Sequence, residues 1–207
     1  MRCLALAVVL LAAGCAGGLH SSAPPSQTYI LRATAGPPAP ITPRATATLQ
    51  VQLPLSAPGL QAERIVIVQP DHRMSFYAGS EWAAQLPLMV EELAIERLRA
   101  AGDWGGVFDS GSTLASDYVL QIRIRRFEAE YAGDAAPTAQ VVFDCALARR
   151  SDHQVLSSFT AHGSAVAGAN RMAPVVAAFE EAANAALGEV VAMSAQAAKS
   201  SQSPTSP

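Results

Sequence analysis

DYVLQIRIRRFEAEY, residues 117–131, is the stretch on which the fold turns. Tyr118, Leu120, Ile122 and Ile124 recur at every second place, with Gln121, Arg123 and Arg125 between them. A period of two with one apolar face is the mark of a half-buried strand. The phase then slips, because the bulk moves to Phe127, Ala129 and Tyr131. One extra residue near Arg125 and Arg126 reconciles the two halves, so the pattern predicts a β-bulge there.

The neighbouring sequence extends the sheet. Residues 138–149 repeat the alternation, with Val141, Phe143, Cys145 and Leu147 inward. A polar turn at 151–153 leads into 154–164, and the short connection makes these two antiparallel neighbours. Upstream, residues 104–109 read as a short strand ending in the Gly/Ser turn 110–112. The unbroken run IVIV at 65–68 fits a strand buried on both faces. Leu49, Val51 and Leu53 alternate with Gln50 and Gln52 until residues 54–59 break the pattern. TYILR at 28–32 and residues 74–77 make further short strands, separated from the rest by a Pro-, Ala- and Thr-rich excursion at 33–47.

Two segments read as helices. The first covers 80–101, but Pro87 would remove a donor and clash inside it. The reading is therefore a short helix over 81–85, then a main helix opening at Pro87 and stopping at Gly102. Glu92, Glu96 and Arg99 form its narrow polar stripe, and Leu88, Met89, Val90, Leu93, Ile95 and Leu98 take most of the rest. The second covers 171–198, with Val175, Phe179, Ala182, Ala186, Val190 and Met193 on one stripe. Strands, helix, strands, helix predicts an α+β fold: a mostly antiparallel sheet with both long helices on one face.

The first fifteen residues carry a different message. Arg2, the apolar run 4–11 and the small residues before Cys15 have the anatomy of a secretory signal, too short to span a bilayer. The ending AAGC resembles the lipobox of bacterial lipoproteins, although Ala12 stands where Leu is usual. That resemblance implies cleavage before Cys15, with a diacylglycerol on its sulfur and an N-acyl chain, of the palmitate kind, on its new amine. The plainer alternative is an ordinary cleaved signal ending near a Cys. Ala16, rather than Asp, points to the outer membrane and its periplasmic face. The domain organisation read from these cues is a leader at 1–14, a flexible tether at 15–27, a folded domain at 28–198 and a disordered tail at 199–207.

Removing the first 14 of the 207 residues leaves 193, enough for one domain. Arg2 goes with the leader, so 13 basic residues face 17 acids, a net charge of −4. Nothing there suits nucleic acid. Of three cysteines, Cys3 is lost and Cys15 lipidated, leaving Cys145 as a small buried residue.

A search for chemistry is mostly empty. His20, His72, His153 and His162 lack ligand-like spacing, so neither a metal nor another cofactor is expected beyond the acyl groups on Cys15. The Gly-rich stretch 102–111 lacks the Lys-Ser/Thr of a phosphate loop. Glu91 with Glu92, and Glu180 with Glu181, read as solvated charge. No enzyme is indicated. Two groups are candidates for partner binding. Arg123 and Arg125, with Arg126, could grip anionic groups, or could simply be a strand's solvent face paired with Asp144 and Glu128. Phe76, Tyr77 and Trp82 could form a contact patch, or could pin a helix start to the sheet.

These residues carry a family resemblance. RIVIVQPDHRMSFYAGSEWAAQLPLMVEELAIERLRAAGDWGGVF, residues 64–108, is similar to the signature region of the ABC-type transport auxiliary lipoprotein family. The matching pieces are Arg64-Ile65, Phe76-Tyr77, Trp82-Ala83, Leu86-Pro87 and the Gly-rich close at 102–108. The strand from Asp117-Tyr118 to Phe127 and Tyr131 matches too, as do Tyr29-Ile30-Leu31, over 28–193 in all. Where the family has Tyr-Tyr this chain has Phe-Tyr. The resemblance implies a non-enzymatic accessory to ABC transporters that use substrate-binding subunits of the mammalian-cell-entry type and move lipid between two membranes. Its partners would be that subunit and the membrane; homo-oligomers, as rings or dimers, are compatible with it. The reading of another class is a lipoprotein that assembles the envelope or activates a cell-wall synthase, since fold alone does not decide function.

Overall fold

The computed structural model describes residues 26–34, 46–133 and 135–202. The leader, Cys15, the tether as far as residue 25, most of the 33–47 excursion and residues 203–207 lie outside the described residues. In chain order the elements are β1 (Gln27–Tyr29), β2 (Thr48–Val51), β3 (Leu55–Ser56), β4 (Arg64–Val68), β5 (Met74–Trp82), α1 (Leu86–Ala101), β6 (Gly106–Phe108), β7 (Tyr118–Glu130), β8 (Thr138–Arg149), β9 (Val155–Val166) and α2 (Met172–Gln202).

β7 is the axis of the sheet. On one side it pairs along its whole length with β8, antiparallel, and the register slips between Ile124 and Arg126, where the bulge was expected. On the other side three strands share it in turn, all parallel: β2 at Leu120, β3 at Ile124 and β4 at Glu128. β9 extends the β8 side and β5 extends β4, both antiparallel, while β1 joins β5 and β6 joins β2 in parallel. The long ladders are antiparallel and the short ones mostly parallel, so the sheet is mostly antiparallel but mixed. Both helices pack against one face and against each other. Leu120, Ile122, Ile124, Phe127, Val141, Phe143 and Leu147 are all buried there.

Small residues let α2 come close. Ala182, Ala183 and Ala186 face Ala161, Gly163 and Ala165 of β9, all buried. At Gly163 the approach is extreme: a Cβ there would sit inside the Ala182 carbonyl. α1 starts with Pro in its first turn and ends at Gly102, in the left-handed conformation at φ 72°. Arg99, in the last turn, donates from Nε and an Nη to the Val107 carbonyl and so ties the helix end to β6.

Several expectations are corrected. Residues 81–82 are strand, not helix, because Glu81 and Trp82 pair with Thr28 and Tyr29 of β1 and Trp82 faces the core. Leu53 points outward and is 45 % exposed, since the buried Pro54 takes the inward place and shifts the alternation. The supposed break at 54–59 holds β3. Leu88 and Met193, read as buried, are exposed. Glu91, read as solvated, is buried and accepts the Ser110 N–H at 2.7 Å. Gln27 belongs to β1 rather than to a tether. Helix α2 runs on to Gln202, so residues 199–202 are not a disordered tail.

Candidate functional site

Among the described residues, no helix covers the other face of the sheet across β7, β8 and β9. A groove of about 540 Å³ runs along it, with Gln121, Arg123, Asp144, Ser158 and Thr160 among its lining and Leu53 and Leu55 as one wall. The wall exists because of Pro54. With no N–H to offer a ladder, it separates β2 from β3, and both flanking leucines turn to solvent. Leu53 and Leu55 thus form a small exposed apolar edge beside a polar sheet face, a candidate contact surface.

The charges in and beside the groove are unequally committed. Asp144 accepts from Thr160 Oγ1 at 2.9 Å and lies 3.5 Å from Arg125 Nε. Arg126, displaced by the bulge, donates to Glu128 at 2.7 Å and to Glu130 at 3.1 Å. Burial works to lower the Arg126 pKa, but the two carboxylates outweigh it and the value is raised. Arg123 stands opposite Asp144 in register, yet makes no ion pair among the described residues. It is therefore the guanidinium in this groove left to bind a carboxylate or phosphate.

The aromatic candidates separate. Trp82 is buried, edge-on to Phe127 and Phe179 at 6.0 and 5.3 Å, and cannot meet a partner. Its ring fits there because Phe127 and Phe179 are themselves stacked at 5.3 Å. Phe76 is half-buried under the Arg64 guanidinium, 3.7 Å from the ring centroid. Tyr77 shares a hydrogen bond of 2.9 Å with Tyr131, which donates at 2.7 Å to Asn170 ahead of α2. Burial, then the Tyr131 hydroxyl, raise the Tyr77 pKa well above the ordinary phenol range. These two are structural struts; Arg123 and Arg125 alone of the five lie in or beside the groove.

No catalytic grouping emerges among the described residues. Among the described residues no set of three or more His, Cys, Asp or Glu could hold a metal. Cys145 is buried, and burial followed by the Asp144 charge pushes its thiol up to about 12, the opposite of an activated nucleophile. His72 and His153 sit in turns at positive φ.

The sequence matches the ABC-type transport auxiliary lipoprotein component family over residues 29–191. The chain belongs to that family. The match runs from the last residue of β1 to residue 191 within α2 and takes in the groove. Protein XCC0632 from Xanthomonas campestris, of family DUF330, shares 27% identity at a TM-score of 0.78, covering 86% of this chain and all (100%) of that one. An uncharacterized protein at 14% identity has the same fold at a TM-score of 0.64, covering 82% of this chain and 99% of its own. No curated protein matches the chain. The family is one of auxiliary lipoproteins and not of enzymes.

Arg123 and Arg125 were visible in sequence as the polar phase of β7. Leu53 and Leu55 were not, although Leu-Pro-Leu carries the signal: a proline inside an alternating run must break the ladder.

Proposed function

We propose that this auxiliary lipoprotein is a non-enzymatic docking component of an ABC-type, mammalian-cell-entry lipid transport system. It is held through Cys15 at the periplasmic face of the outer membrane and receives the transporter's substrate-binding subunit. The observation that carries this reading is the family match across residues 29–191. The groove beside β3 is the surface offered for docking. Its free Arg123 suits a carboxylate on the partner, and Leu53 and Leu55 supply the apolar contact.

The test is crosslinking in intact cells followed by purification of the lipoprotein. A substrate-binding subunit of the mammalian-cell-entry type should come with the wild-type chain. Arg123→Glu should cut recovery by roughly tenfold, as loss of a desolvated charged contact does. Unchanged recovery would remove the groove from the proposal, and no association of the wild-type chain would remove the docking role.

A further inference from the structure

The opposite side of the molecule carries a second groove. It lies between the arm after β1 and the outer flank of α1, has a volume of about 230 Å³, and includes Ile30, Leu31, Leu88 and Leu93 in its lining. Ile30 is 52 % and Leu88 49 % exposed. Glu92 and Glu96 line it as well, both exposed. They stand one turn apart on α1, a spacing at which like charges repel. Among the described residues neither makes an ion pair.

We propose that this groove docks a cationic amphipathic helix of a partner protein. Charge complementarity decides the occupant. An apolar slot rimmed by two unneutralised carboxylates fits a segment with two apolar side chains one turn apart and Lys or Arg beside them. From Leu88 to Glu96 the slot is about 12 Å long, at roughly 1.5 Å per residue, which matches two turns of such a helix. An anionic membrane surface would meet the same carboxylates with repulsion. The site is distinct from the Arg123 groove, which selects the opposite charge, and does not depend on it.

The experiment uses the full-length chain in detergent and two synthetic helical peptides with identical leucine positions, one carrying lysines and the other glutamates. The lysine peptide should bind and the glutamate peptide should not. The double variant Glu92→Lys, Glu96→Lys should weaken lysine-peptide binding roughly tenfold. Glu181→Lys, exposed on α2, should leave it within about twofold and so controls for net charge. Because all three side chains are exposed, the variants should keep the wild-type melting temperature. Equal binding of both peptides, or an unaffected double variant, would overturn the proposal. So would a photoreactive residue at position 88 that crosslinks to residues 35–45 of its own chain, because the cationic occupant would then be internal.

Discussion

At Gly163 one missing side chain permits the closest approach of helix to sheet. Gly163→Ala would force its Cβ into the Ala182 backbone, which has no flexible end to move. The expected cost is about 3 kcal/mol, at the upper end for overpacking, read from urea unfolding. Cys145 makes a different prediction. Its thiol is raised from 9.0 to about 12 by burial and Asp144, so the neutral form is favoured in the fold. The contribution to stability is complete below pH 9 and is lost as pH rises towards 12. Alkylation of Cys145 in native protein at pH 8 should therefore be slow, and should become fast in denaturant; equal rates would refute it. At this scale the sequence showed inward and outward places along β7 but not the fate of Trp82 or Glu91. Trp82 is buried by Phe127 and Phe179, partners 45 and more residues away in the chain. Glu91 is held by one loop amide, Ser110. No local pattern encodes either contact.

The long elements were legible because each half of the chain repeats its period. The bulge in β7 could be placed because two runs of period two, out of phase, need one extra residue between them. The short strands were less so. β1 and β3 are three and two residues long and exist only because β5 and β7 offer edges to them. The arm after β1 is held in another way. Asn184 of α2 accepts the Thr34 N–H at 2.7 Å and donates to the Arg32 carbonyl at 2.9 Å, as a neighbouring strand would. Glu180 accepts the Arg32 N–H at 2.9 Å, and Arg97 of α1 donates to the Thr34 carbonyl. Asn184→Leu removes two of these bonds, each worth about 1 kcal/mol. Hydrogen exchange at the Thr34 amide should quicken by roughly tenfold while β7 amides stay as protected as before. Exchange that is unchanged at Thr34 would mean that the arm is held by Leu31 and the core instead.

For the whole molecule, the two proposed docking grooves, one lined by Arg123 and the other by Glu92 and Glu96, suit a body placed between other proteins. No helix among the described residues is long and apolar enough to cross a membrane, so the proposed attachment rests on Cys15. Cys15→Ser should move the protein from the membrane fraction to the soluble periplasm without changing its melting temperature, measured by fractionation and circular dichroism. Retention in the membrane fraction would show that another part of the chain holds it there. The way β1 joins the sheet then acquires a mechanical meaning. Gln27, Thr28 and Tyr29 lie parallel to Ser80, Glu81 and Trp82, so a pull along that strand from its N-terminal end loads the rungs side by side, in shear. They must give way together rather than peel one after another, and the Asn184 clasp lies beyond them as a second stop. With the proposed mooring at Cys15, a body built this way would be jostled without unravelling from its N-terminal end.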